Sequence, residues 1–115
     1  GSLGSLRAQD DFSGVDANTI TTTGLSTGQW TWVFKTLSAD RVIRLYRGLN
    51  GALSEYAYST QTAGTGSYLA PSGALMFGNR DTFDVTFDGQ FDEILCFDRL
   101  LPLDALARLV RLSGV

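Results

Sequence analysis

Phe87-Asp88-Gly89-Gln90-Phe91-Asp92-Glu93-Ile94-Leu95-Cys96-Phe97-Asp98-Arg99-Leu100-Leu101 carries most of what this sequence says about its fold. Gly89 after Asp88 reads as a turn. Residues 90–97 then read as a strand, and Pro102 just beyond opens a short helix. Neighbouring side chains on a strand point to opposite faces. Ile94 and Cys96 therefore share one face, and Leu95 and Phe97 share the other. The same rule separates Asp92 from Glu93, so this acidic pair cannot act as a facing acid and base.

Outward from this segment the pattern is one of many short strands. Downstream, Leu103, Leu106 and Val110 form an apolar stripe, with Asp104 near the helix start and Arg108 and Arg111 near its end to complement the dipole. Upstream, residues 74–78 and 82–87 read as strands. Asn50-Gly51 predicts a type I′ hairpin, since both central residues of that turn need positive φ, with residues 41–47 and 52–58 as its arms. On residues 29–37, Trp30, Trp32 and Phe34 share a parity and should face one core. Residues 19–23 are β-branched and lead into a glycine-bounded turn. Residues 1–10, rich in Gly and Ser, read as a flexible arm, which leaves 11–115 as a single domain. The expected class is all-β, an antiparallel β-sandwich with one short C-terminal helix.

A chain of 115 residues is long enough to bury a core without staples. A net charge of −3, with the arginines spread along the chain, argues against nucleic acid as a partner. The sequence contains no histidine, and Cys96 is its one cysteine. That removes the usual zinc sites, the Ser-His and Cys-His nucleophile pairs and an intrachain disulfide. No apolar run is long enough to span a bilayer. The first residues lack the charged and apolar regions of a signal peptide.

Taken in order, these pieces resemble the laminin-G-like, concanavalin A-like jelly-roll family. Members carry a W-H-H-V-A strand, an L-Y-x-N/D-G hairpin, an I-G strand, and F-x-G-x-I-D-E-V-R-I-Y-N-R-A-L-S before a short helix. The counterparts here are Trp30-Thr31-Trp32-Val33-Phe34, Leu45-Tyr46 with Asn50-Gly51, Phe77-Gly78-Asn79, and the segment quoted at the outset. The likeness spans about residues 28–112. Thr31-Trp32 replace the His pair, Arg47-Gly48-Leu49 are extra in the hairpin, and Leu95 stands where the family carries an outward Arg. The resemblance implies a concanavalin A-like jelly roll, used as a carbohydrate-binding lectin or for protein recognition. It also implies an extracellular or virion-surface setting and, in several relatives, bound calcium.

Glycosidases of that family carry E-x-D-x-x-E, which is missing here, so no catalytic residue and no enzymatic activity are expected. Asp88 and Asp92 more simply accept from turn and strand amides. A calcium ion would use Asp92 with carbonyls and a second carboxylate such as Asp11 or Asp16. A glycan needs an aromatic plate and hydrogen-bonding groups on loops, for which Tyr56, Tyr58, Tyr68, Asn79, Arg80 and Asp81 are the candidates. Each tyrosine can also pack as a strand residue with a wet hydroxyl. Cys96 reads as a buried thiol. Leu95 and Phe97 form a candidate interface, unless the helix or the N-terminal arm covers them. The expected function is a non-catalytic recognition module for a glycan or a partner surface. The alternative is a structural or decoration subunit of a larger assembly, such as a homo-oligomer in a phage virion. Neither nucleic acid binding nor membrane insertion is expected.

Overall fold

The computed structural model describes residues 2–73, 77 and 87–115. Among these the chain is mostly β, with small antiparallel sheets and one short helix. The strands are β1 (Ser2–Leu3), β2 (Arg7–Asp10), β3 (Ala17–Thr21), β4 (Leu25–Ser26), β5 (Trp32–Leu37), β6 (Ile43–Leu49), β7 (Ala52–Glu55) and β8 (Tyr58–Thr62), followed by α1 (Leu103–Ser113). One three-stranded sheet has the order β2-β3-β8 and another β5-β6-β7, while β1 pairs with β4.

The second sheet grows from the hairpin that the sequence predicts. Asn50 and Gly51 have φ of 52° and 72°, and Leu49 pairs with Ala52 across the turn. The returning chain is not one strand, however. β7 ends at Glu55, and β8 starts at Tyr58 in the other sheet. The chain changes sheets at Tyr56-Ala57, which leaves the edge of β6 over residues 43–45 beyond the reach of β7. Tyr56 N–H donates to the Leu45 carbonyl (3.0 Å), and side chains from the first sheet take the remaining groups. Thr19 Oγ1 and Gln61 Nε2 both donate to the Ile43 carbonyl, at 2.8 and 3.1 Å. Leu45 N–H donates to the Tyr58 hydroxyl at 2.9 Å. Buried backbone groups left without partners cost about 1–3 kcal/mol each, so these side chains are part of the fold's framework.

The core lies where β3 meets β6. Ile43 and Ala17 are fully buried beside Phe12, with Ala8 and Leu37 packed against them. Thr19 and Thr21 are buried as well. Thr21 holds down the chain's start: Leu6 N–H donates to its hydroxyl (2.8 Å), and its own N–H donates to the Leu6 carbonyl (2.9 Å). The lead read as a flexible arm is therefore sheet over Arg7–Asp10. Lys35 on β5 closes the same side with an ion pair to Asp10 on β2 (2.7 Å).

The helix packs on the opposite face of β5-β6-β7. Residues 44, 46 and 48 share that face by strand alternation, and Gly48 is what lets the helix approach. A Cβ there would strike Val110 and come within 2.9 Å of the Trp32 Cβ. Leu106 and Val110 are buried. The Trp32 indole N–H donates to the Ser113 hydroxyl (2.8 Å), and Gly51 N–H to the Val115 carbonyl (2.9 Å). Gly114 ends the helix in the left-handed conformation, φ 75°.

Several expectations need correction. Trp30 is 53% exposed, because the β5–β6 ladder begins at Trp32 and Trp30 lies off its end. Trp32 and Phe34 do share a face, stacked at 5.3 Å. Leu103 is exposed rather than part of the buried stripe, since the first helical turn overhangs a cleft. Residues 90–97 are not a strand. Glu93 has φ of 50°, which breaks an extended backbone, and Glu93 N–H donates to the Asp92 carboxylate (2.9 Å) instead of to a neighbouring strand. Inward and outward faces therefore do not develop, and Ile94 and Cys96 are exposed along with Leu95 and Phe97. The strands expected at 74–78 and 82–87 fall almost wholly outside the described residues.

Candidate functional site

A cleft of 290 Å³ opens on the helix side of β5 and β6. Its floor is Thr36, Ser38, Arg44 and Tyr46, and its wall is Leu100, Leu101, Pro102 and Leu103. Strand alternation aims Thr36, Arg44 and Tyr46 at this face. The β5–β6 turn then fixes the arginine. Arg41 N–H donates to the Ser38 carbonyl (2.9 Å), with Arg41 at φ 62°. This brings Asp40 and Ser38 to the guanidinium. Arg44 Nη2 donates to Asp40 Oδ2 at 2.7 Å, and Nη1 to the Ser38 hydroxyl at 2.6 Å.

The electrostatics follow from these contacts. The Arg44 hydrogen bond, aided by the Ser38 hydroxyl and Val42 N–H, holds the Asp40 carboxyl well below the usual carboxylate range. The same bond raises Arg44 above its ordinary value. Burial pushes the Tyr46 phenol up. Arg44 is thus neutralised in place, and the cleft presents hydroxyls and a compensated guanidinium opposite leucine side chains. Such a lining suits a small neutral or amphipathic group and disfavours a free anion. At 290 Å³ it lies at the lower limit of small-molecule sites. The Ser38 hydroxyl donates to the Asp40 carboxylate at 2.6 Å.

The sequence candidates are not gathered around this cleft. Tyr56 is 6% exposed; its ring lies 5.9 Å from the Arg47 guanidinium carbon, and its buried hydroxyl has no partner among the described residues. Tyr58 braces β6, and its hydroxyl also donates to Glu55 (2.8 Å). Burial, with the Glu55 carboxylate nearby, pushes its phenol up to about 12. Tyr56 and Tyr58 therefore serve the framework rather than offering open plates. Tyr68 is half-exposed, edge-on to Phe12 at 5.7 Å and bridged to its backbone. Asn79, Arg80 and Asp81 lie outside the described residues. Asp92 is exposed and engaged with its own neighbour. Asp16 accepts from Phe12 N–H (3.0 Å) and the Gln9 amide (3.1 Å). Among the described residues no three His, Cys, Asp or Glu side chains gather to hold a metal.

Leu95 and Phe97, the candidate interface, are 48% and 54% exposed, and Phe91, Ile94 and Leu100 are about equally open. Neither the helix nor the chain's start covers them. Among the described residues no backbone hydrogen bond ties 88–101 to either sheet. Leu95 and Phe97 are exposed, though together with Ile94 and Cys96 rather than as one face of a strand, and sequence reasoning missed the cleft. The Asp40/Arg44 spacing beside a turn residue was visible, yet nothing in it showed that the chain before α1 would close over Arg44.

Compared with known protein families, with curated proteins and with solved structures, the chain matches none. No helix among the described residues is long and apolar enough to cross a membrane.

Proposed function

We propose that this chain is a non-catalytic recognition module, a small concanavalin A-like β-sandwich of laminin-G type, that engages a partner surface through residues 87–101. The observation that carries this reading is the run of half-exposed apolar side chains Phe91, Ile94, Leu95, Phe97 and Leu100. Five large apolar side chains exposed within ten residues are uncommon on a soluble monomer unless they form a contact surface. A glycan is the less favoured ligand, because Tyr56 and Tyr58 are committed inside the fold and Tyr68 alone remains open. The neutral cleft at Arg44 is where a sugar hydroxyl pair would be tested first.

The structural-subunit reading, with the chain as one copy in a larger assembly such as a virion, draws on the same surface and on the chain's start being part of the sheets. Both readings place the chain outside the cell or on a particle surface. A double variant, Leu95→Asp with Phe97→Asp, tests the surface. It should keep the thermal melt of the parent and abolish association, self or foreign, in sedimentation and pull-down measurements. Unchanged association in both measurements, together with glycan-array binding lost in Arg44→Ala, would instead establish the lectin reading.

A further inference from the structure

We infer that the partner covering residues 87–101, here called the C-terminal arm, is a second copy of this chain, with the C-terminal arm of each copy laid along α1 of the other. The inference rests on the partner-surface function proposed above. It follows from charge and area. Residues 88–99 carry four carboxylates, Asp88, Asp92, Glu93 and Asp98, against the single Arg99. An arm meeting an arm would bring like charges together. The outer face of α1 is the more basic surface: Arg108 and Arg111 are exposed there against the one carboxylate of Asp104, and Leu112, at 75%, is the most exposed large apolar side chain described. A strongly acidic apolar arm and a helix face with a net positive charge fit each other.

Within one copy they do not meet: residues 88–100 and the Arg108, Arg111 and Leu112 face of α1 are all exposed. Exchange between two copies about a two-fold axis satisfies both arms and closes the assembly. A phenylalanine buries roughly 150–250 Å² and an aliphatic side chain about half that, so the five at half exposure offer about 250–450 Å² per copy. A standard interface takes about 800 Å² from each partner, and about two-thirds of a homodimer interface is apolar. The arm supplies most of that apolar share, Leu112 adds to it, and the carboxylates and arginines form its rim.

Two charge-reversed chains test the pairing, one with Asp92→Lys and Glu93→Lys, the other with Arg108→Glu and Arg111→Glu. Sedimentation velocity over a concentration series should show the parent chain dimerising, with weaker association at high salt. Each variant alone should associate at least about tenfold more weakly, because like charges then face each other. The equimolar mixture should recover the parent's affinity, a rescue that a merely structural role for these residues would not produce. Alkylation of exposed Cys96 should slow as the parent is concentrated. A parent that stays monomeric at all concentrations overturns the inference while leaving recognition of a foreign partner standing. Dimerisation unaffected by either variant, or a mixture no tighter than its components, overturns the arm-to-helix pairing. If either variant loses the parent's thermal melt, the Cys96 protection of the parent decides alone.

Discussion

Residues 43–49 and residues 90–97 look alike in sequence and behave oppositely in the structure. Both are rich in large apolar residues mixed with charged ones, and both lie beside a glycine turn. Residues 43–49 become β6, with neighbours on both sides and side chains capping the stretch that β7 does not reach. Residues 90–97 find no edge among the described residues and remain exposed. Alternation states which faces a strand would have, whereas hydrogen-bonded neighbours decide whether it exists, since an unpaired extended segment gains neither ladder nor burial. The difference also separates the two regions: β6 anchors the fold, and residues 90–97 stay exposed among the described residues.

The sharpest way to break this comparison is to truncate one apolar residue in each region. Ile43→Ala should destabilise the fold by about 3 kcal/mol, from lost burial and a residual cavity. Leu95→Ala should change stability by less than about 0.5 kcal/mol in a dilute monomer. Urea melts of the two variants read this directly, and equal losses would mean that the arm is packed like a core strand.

Next in size is the seat of the helix on β6. Gly48→Ala forces a methyl group against Val110 and Trp32, and should cost about 1–3 kcal/mol through overpacking. A chain that melts as before would show that α1 does not bear on this sheet.

The smallest effects sharpen the contrast between two neighbouring tyrosines. Tyr58→Phe leaves Leu45 N–H without its acceptor and should cost about 1–2 kcal/mol. Tyr56→Phe removes a buried hydroxyl that lacks a partner, and should be neutral or stabilising by up to about 1 kcal/mol. The Tyr58 phenol is raised from 10.0 to about 12 in the fold. Its contribution is therefore complete below the ordinary value and is lost as pH rises through about 12. Alkaline unfolding followed by phenolate absorbance should be shallower in Tyr58→Phe than in the parent.

Some of the molecule was legible in advance for local reasons. Asn50-Gly51 forms its turn because both residues tolerate positive φ, and the helix forms where Pro102 and Gly114 mark its ends. Other features depended on distant partners. The chain's start was misread because Gly and Ser say nothing about Thr21, which waits some fifteen residues away to bind Leu6. Tyr56 and Tyr58 were read as loop aromatics because nothing local reveals that the chain crosses from one sheet to the other between them. Arg44 passed without notice because its partner turn and the leucine wall come from separate segments.

By itself the sequence determined the β-rich class, the hairpin, the helix with its polarity, and that its residues hold no histidine and no pair of cysteines for an intrachain disulfide. These depend on backbone preferences within a few residues and on composition. Only the tertiary structure decided which strand-like stretches pair, which aromatics are enclosed, and that residues 88–100 stay exposed among the described residues. Those outcomes depend on which edges and faces remain unsatisfied once the rest of the chain has packed.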